Sequence, residues 1–367
     1  MNVFSRKTIA ALGAVSVLAL SACGSDGGKP VDGGKADTGK SDSKPVSGKL
    51  VGSGASSQGG AQDAWLAGFT AQNPEAQVTY DATGSGKGRE AFLSKASDFA
   101  GTDDFLDEEE MTKAKDRCEG GTAMNIPVYI SPIAVVYNLE GVDDLQLSPE
   151  TLAGIFAGTI TKWDDPKIKA DNPDAELPSK PIVPVHRSDK SGTTGNFTDY
   201  LSKAAPNEWT HGAIEEWYES GGQSGDKTAG MMSTVKGGDG TIGYADASQA
   251  KDVGVAKIKV GEKFVELSAE GAGKTVDDSK PVKDGDLALE LNRTTTADGA
   301  YPLVLVSYMA VCDTYDSQEK ADLVKAYASF IISEQGQKDA ESSSGSAPLP
   351  AEMSKKAQEN VDKIKAK

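Results

Sequence analysis

Val185-His186-Arg187-Ser188-Asp189-Lys190-Ser191-Gly192-Thr193-Thr194-Gly195 is the stretch on which the reading of this chain turns. The apolar run from Pro181 to Val185 reads as a short buried strand, and a helical pattern opens around Thr194 and continues to Lys203. Between them lies a turn rich in hydroxyls and glycine. A helix start presents unpaired backbone N–H groups and the positive end of the helix dipole. Such a start holds an oxyanion without help from net charge. Arg187, at the strand end, has a planar fork that can grip two oxygens. Ser191 and Thr193 add hydroxyl donors, and Gly192 lets the backbone come close. Taken alone, the same residues also describe an ordinary helix after a strand, capped by Ser191 or Thr193.

Upstream, the pattern repeats. Gly48-Lys49-Leu50-Val51 is a short strand entering the turn Gly52-Ser53-Gly54-Ala55-Ser56-Ser57, and Ala61 to Ala71 has helical spacing with Trp65, Leu66 and Phe69 on one face. Val78-Thr79-Tyr80 is a second strand, followed by Gly84-Ser85-Gly86-Lys87-Gly88 and a helical stretch from Glu90 to Ala96. Asp98 to Asp104 is a third strand with a polar end. Strand–helix alternation of this kind predicts a parallel α/β sheet, whose ligands sit at the carboxyl ends of the strands. The turns near Ser56, Ser85, Asp103 and Arg187 would then share one face.

Asn125 to Asn138 is the strongest apolar stretch after the N-terminal region; it predicts a buried strand, broken at Pro132, that crosses between lobes. Ser148 to Ala157 and Met231 to Lys236 read as helices, and Thr241 to Tyr244 and Tyr301 to Val311 as strands. Val253 to Leu267 alternates as strands, and Asp277 to Arg293 is acidic and poorly patterned. Lys320 to Gly336 reads as one amphipathic helix, and a last polar helix runs from the prolines at 348 and 350 to Lys367. No internal repeat is present.

The N-terminal region is of another kind. Arg6 and Lys7 precede an apolar run, Ile9 to Leu20, too short to span a bilayer as a mature helix. It ends in Leu20-Ser21-Ala22-Cys23-Gly24, a bacterial lipobox in which Cys23 accepts a diacylglycerol. Residues 1–23 are therefore expected to be a lipoprotein signal peptide. Residues 24–47, rich in Gly, Lys, Asp, Ser and Pro, form a disordered tether whose reach is on the order of 25–30 Å. The expected location is the outer face of the cell membrane.

The 367 residues, 38% hydrophobic and 25% charged, suffice for two lobes with a core. The net charge of -17 repels nucleic acid and anionic lipid surfaces. It would repel a small anion as well, so local hydrogen bonds would have to hold one. The two histidines and three cysteines have no zinc-site spacing, and no metal or cofactor is expected. Cys118 and Cys312 remain once Cys23 is lipidated. In an exported protein a disulfide between them is expected over two separate buried thiols. Gly271-Ala272-Gly273-Lys274-Thr275 resembles the end of a nucleotide loop, but Ser268 stands where its first glycine is required. No G-x-S-x-G elbow exists, and Ser191 has no evident base. His186 reads as structural, and the tryptophans as packing residues.

Taken in order, Ala55-Ser56-Ser57, Gly84-Ser85-Gly86, Asp98-Phe99-Ala100-Gly101-Thr102-Asp103 and Arg187…Asp189…Ser191-Gly192-Thr193 resemble the phosphate-binding proteins of high-affinity phosphate ABC transporters, in the lipoprotein form of Gram-positive bacteria. Ile155-Phe156-Ala157-Gly158…Lys162-Trp163-Asp164-Asp165, Gly240-Thr241-Ile242-Gly243-Tyr244 and Leu349-Pro350 also resemble that family, so the likeness runs from about Gly48 to the C-terminus. It implies an α/β, two-lobed periplasmic-binding-protein fold of the type II, Venus-flytrap kind, each lobe a mixed sheet flanked by helices. Lobe 1 would comprise residues 48–137 and 297–367, and lobe 2 residues 138–296.

The resemblance also implies a monomeric, non-enzymatic receptor that closes on one inorganic phosphate and delivers it to the permease subunits. Ser56 and Ser85 would each give a hydroxyl and an N–H. Ser57 stands where some relatives have an aromatic residue, so only its N–H carries over. Asp103 would accept a proton from the ligand. Arg187 would bind two oxygens with Asp189 holding its guanidinium, and Ser191, Gly192 and Thr193 would donate from the helix start. The other functions the sequence leaves open are an exported phosphomonoesterase on the same fold, a receptor for another oxyanion such as sulfate or molybdate, and a surface adhesin.

Overall fold

A computed structural model of the protein describes residues 45–218, 221–283 and 287–367. The signal segment, Cys23 and nearly all of the tether lie outside the described residues. The chain opens with β1 (Gly48–Gly54), α1 (Gly59–Gln72), β2 (Ala76–Asp81), α2 (Ser85–Leu93) and β3 (Phe99–Thr102). β1 lies between β2 and β3 and is parallel to both. The expected alternation is therefore present. Its second helix begins earlier than the apolar spacing suggests, at Ser85 rather than Glu90, because Ser85 to Gly88 already turn helically after Gly84.

β4 (Ala123–Asn138) is one continuous strand of 16 residues. The expected break at Pro132 does not occur. From Ala123 to Pro132 β4 pairs antiparallel with the late strand Val304–Cys312, and from Ile133 to Asn138 it pairs antiparallel with Thr241–Asp246. Pro132 sits where the strand changes partner, so its missing N–H interrupts no ladder. The rest of the sheet follows in chain order: β5 (Val183–Arg187), β6 (Gln223–Gly225), β7 (Thr241–Asp246), β8 (Gly254–Val255) and β9 (Val304–Cys312). Its order is β2-β1-β3-β9-β4-β7-β5-β6, with β8 also on β4. α3 (Gly192–Ala204) follows β5 and α4 (Lys227–Gly237) follows β6. The architecture is a two-lobed α/β fold, mixed in strand direction, in which β4 serves both halves.

Burial follows the apolar pattern. Trp65, Trp163 and Trp209 are fully buried packing residues. His186 stacks on Trp217 with ring centres 4.8 Å apart, which makes it structural. Cys118 and Cys312, both buried, form a disulfide that closes a separation of 194 residues. Two expectations for the C-terminal part need correction. The single helix expected from Lys320 to Gly336 is two, Gln318–Ile332 and Glu334–Ser344, because Ser333 is extended and its hydroxyl caps the second by accepting from Gly336 N at 3.1 Å. The last helix, Ala351–Val361, stops before the end, and Lys365–Ala366 instead pairs with Thr314–Tyr315. The nucleotide-loop look-alike is an ordinary helix, Ala269–Asp277, capped by Ser268. Among the described residues no helix is long and apolar enough to cross a membrane.

Candidate functional site

Asp103, one residue past β3, is 3% exposed and lies where the strand-to-helix turns meet. Its Oδ1 accepts from the Ser57 hydroxyl at 2.6 Å and from the Ser307 hydroxyl at 2.7 Å. Its Oδ2 accepts from the Thr193 hydroxyl at 2.8 Å. The Asn196 amide donates to its carbonyl at 2.7 Å. A carboxylate has about four acceptor sites. Among the described residues three are filled by hydroxyls, and the fourth is on Oδ2. A buried carboxylate with one open acceptor site is suited to a ligand that brings a proton.

Three serine hydroxyls around it share a second feature. Ser85 Oγ accepts from Asp103 N at 3.2 Å, Ser191 Oγ accepts from Thr194 N at 3.2 Å as the cap of α3, and Ser56 Oγ accepts from Thr228 N at 3.2 Å. A hydroxyl has one proton. With a lone pair engaged by a backbone N–H, each of these serines keeps that proton for an acceptor; for Ser56 the Thr228 hydroxyl at 2.9 Å is one such neighbour. The arrangement supplies donors on several sides of one small space. Gly192 is required there by close approach: a Cβ at this position would lie 2.9 Å from both Asp103 Cβ and Ser85 Oγ.

Arg187 ends β5 and is 3% exposed. Its Nε donates to Asp189 Oδ1 at 2.7 Å and its NH2 to Asp189 Oδ2 at 2.5 Å, a two-pronged pair that fixes the guanidinium plane. NH1 reaches the Thr228 hydroxyl at 3.5 Å. Of the five N–H groups of an arginine, two remain without an acceptor among the described residues, one on NH1 and one on NH2. Burial works against the charge of Asp189, but the hydrogen bond and the charge of Arg187 outweigh it and hold the carboxyl below its ordinary range. Lys227 N also donates to Asp189 at 3.0 Å, which ties the start of α4 to the same point.

All the residues singled out from sequence, Ser56, Ser57, Ser85, Asp103, Arg187, Asp189, Ser191, Gly192 and Thr193, thus belong to this one region. Ser57 differs in kind from its expected backbone role, since its hydroxyl is a direct partner of Asp103. Sequence reasoning missed Thr228, Ser307 and Asn196. Thr228 had a readable signal: Gly225-Asp226-Lys227-Thr228 is a further strand end entering a helix. Ser307 was visible as the one serine in the apolar run of β9. Asn196 lies three residues after Thr193 on α3, a spacing that gives both the same helix face.

Two charged groups border the region. Arg89 of α2 is 3% exposed, pairs with Glu110 at 2.9 Å and makes a two-pronged pair with Glu215, one contact of which is 3.0 Å. Burial, followed by the charge of Glu215, pushes the Asp104 carboxyl up to about 7. Among the described residues no group of three or more His, Cys, Asp or Glu is placed to hold a metal. His186 stacks on Trp217, with its Nδ1 3.0 Å from the Arg187 carbonyl oxygen, and His211 stacks on Tyr218.

Residues 39–335 match the model of a PBP superfamily domain. The chain is 34% identical over 352 residues to phosphate-binding protein PstS 3 of Mycobacterium leprae, covering 93% of this chain and 94% of that one. It is 35% identical over 362 residues to phosphate-binding protein PstS2 of Mycobacterium bovis, covering 96% of each, and 32% identical to phosphate-binding protein PstS of Methanocaldococcus jannaschii, covering 82% of each. Among solved structures, a high-affinity periplasmic phosphate-binding protein bound with phosphate superposes with a TM-score of 0.70 at 19% identity, over 85% of this chain and 93% of that one. A phosphate ABC transporter substrate-binding protein with bound phosphate from Clostridium perfringens superposes with a TM-score of 0.58 at 20% identity, over 81% and 98%.

Proposed function

We propose that this chain, which belongs to the PstS phosphate-binding proteins of the PBP superfamily, binds inorganic phosphate around Asp103 and delivers it to the permease subunits of a phosphate ABC transporter. Like its relatives it is a receptor and not an enzyme. The observation that carries the proposal is the single open acceptor site of the buried Asp103 carboxylate amid donor hydroxyls, a helix start and an arginine. Phosphate, which is protonated near neutral pH, places P–OH against that site and its other oxygens against Ser56, Ser85, Arg187, Ser191, Gly192 and Thr193. Sulfate has no proton to give. It would set an acceptor against a buried carboxylate, and leaving buried charge unpaired costs a few kcal/mol, enough to reject it by orders of magnitude.

In this proposal the lobes are residues 48–137 with 297–367, and residues 138–296. The change of partner within β4 between Pro132 and Ile133 supports a crossing near the first boundary. The Arg89–Glu215 and Thr193–Asp103 contacts would join the lobes in the closed, ligand-trapping form. Cys23 carries the lipid, residues 24–47 are the leash, and a monomer works at the outer face of the membrane. Equilibrium dialysis with radiolabelled phosphate, after unfolding and refolding to strip carried-over anion, tests the binding. One site that unlabelled phosphate competes for and sulfate does not is the expected result; competition by sulfate at similar concentration would rule the proposal out.

A further inference from the structure

A file of buried neutral side chains ends on Asp103 Oδ1, the carboxylate oxygen that Thr193 does not contact. The Tyr327 hydroxyl donates to Gln62 Oε1 at 2.9 Å, Gln62 Nε2 donates to Gln58 Oε1 at 2.8 Å, Gln58 Nε2 donates to Ser307 Oγ at 2.6 Å, and Ser307 Oγ donates to Asp103 Oδ1 at 2.7 Å. Each of the four neutral residues is no more than 1% exposed. Every donor in the file points toward the carboxylate.

One backbone carbonyl fixes this direction. Gln58 Nε2 also lies 3.3 Å from the carbonyl oxygen of Tyr308. A carbonyl only accepts, so the Gln58 atom facing it is the amide nitrogen. That places Gln58 Oε1 toward Gln62, which must then answer with its own nitrogen and leave its oxygen for the Tyr327 hydroxyl. With one lone pair of Ser307 occupied by Gln58, its single proton goes forward. Asp103 Oδ1 at 2.7 Å is the nearer acceptor, and Thr102 O lies at 3.2 Å. The β-bulge between Ser307 and Tyr308 turns both the Ser307 side chain and the Tyr308 carbonyl onto Gln58. Gly101 leaves the room: a Cβ there would lie 2.7 Å from Gln58 Oε1.

We propose that Gln62, Gln58 and Ser307 form a one-way hydrogen-bond relay that locks Asp103 as an acceptor and so sets the discrimination of the site against anions that carry no proton. These are positioning residues that act through Asp103 and do not touch the anion. The proposal rests on the phosphate reading of the site. With Oδ1 closed by Ser57 and Ser307, the carboxyl is held in one orientation and presents only Oδ2 to the cleft. Without the relay the carboxyl is free to turn or to offer a different face, and a proton-free oxyanion meets less repulsion. Polarisation along the file makes its members interdependent, so the loss of Gln58 has the same consequence as the loss of Ser307.

Competitive titration of the purified protein with phosphate and sulfate, in a double-mutant cycle, tests this. Ser307→Ala and Gln58→Met should each lower the phosphate-over-sulfate affinity ratio by about tenfold, the size of one hydrogen bond to a charged group. The double variant should lose little more than either alone, and Ser307→Thr should retain the wild-type ratio. A role in packing alone would add across the cycle and leave the ratio unmoved. If Ser307→Ala does not fold, Gln58→Met against Ser307→Thr decides. An unchanged ratio in folded Ser307→Ala and Gln58→Met overturns the relay, as does simple additivity. Wild type and Asp103→Asn separate the two levels: discrimination lost in Asp103→Asn but kept in the relay variants sinks the relay alone, while a wild type that does not discriminate sinks the phosphate reading and the relay with it.

Discussion

Arg187 shows how one side chain divides its work. Two of its N–H groups are spent on Asp189, which holds the plane, and the two left without an acceptor among the described residues are available to the proposed anion. Arg187→Ala removes both anion contacts, each a charge-assisted hydrogen bond contributing about 1.5–3 kcal/mol. Phosphate affinity should fall by roughly two to four orders of magnitude, with the fold intact by circular dichroism. Asp103→Asn makes a different prediction. The amide can donate to an oxyanion, so sulfate binding should become measurable by calorimetry while phosphate binding weakens; unchanged rejection of sulfate would remove Asp103 from the specificity of the site. At this scale the sequence was informative because such turns recur in order near Ser56, Ser85, Asp103 and Arg187; any one of them alone also reads as an ordinary helix cap. Ser57 was the exception. Its hydroxyl bond to Asp103 spans 46 positions, and no local pattern reports a contact of that length.

Elements show where pattern and structure part. Apolar spacing located β4 but misjudged Pro132, since a proline breaks a strand only where its N–H is needed, and the change of partner at Ile133 is a tertiary fact. The same limit applies to Ser333, where a single extended residue divides an apolar helical pattern in two. Asp277 to Arg293 is acidic and poorly patterned in sequence, yet Arg293 is 3% exposed and donates to Asp199, Asn196 and the carbonyls of Pro302 and Val304. Its partners are remote in sequence, so composition hid it. The segment after β3 also carries a pH prediction. Burial lifts Asp104 from its ordinary 3.8 to about 7, and burial likewise lifts Asp246 to about 6. Both folded values exceed the unfolded ones, so the native state keeps protons that the unfolded chain releases. Their contribution to stability therefore declines as pH rises from about 4 to 7, and the decline is complete above that. Asp104→Asn should raise the melting temperature at pH 8, by an amount equivalent to about 1–3 kcal/mol, and change it little at pH 4. The reverse pattern in calorimetric scans would contradict the burial of a neutralised Asp104.

At the scale of the whole molecule, the charge of -17 and an anionic ligand pull in opposite directions. The donors that hold the anion act over hydrogen-bond distance, whereas the net charge acts over a Debye length. Salt should therefore speed association: stopped-flow on-rates for phosphate are expected to rise severalfold between low and physiological ionic strength. A rate that falls with salt would mean that a basic entry path steers the ligand. The Cys118–Cys312 bond joins the end of the helix Glu108–Arg117 to the end of β9. Replacing both cysteines by serine should cost about 2–5 kcal/mol in denaturant unfolding and leave phosphate affinity within a few-fold, because the bond lies outside the set of residues around Asp103.

The contact between Asp103 and the ligand is the centre of the account, and a crystal structure of the protein grown with phosphate measures it most directly. The anion should lie among Ser56, Ser85, Arg187 and Ser191, with one phosphate oxygen about 2.5–2.7 Å from Asp103 Oδ2, the length of a hydrogen bond from P–OH to a carboxylate. An anion bound elsewhere, or one in this cleft with no oxygen on Asp103, would contradict it.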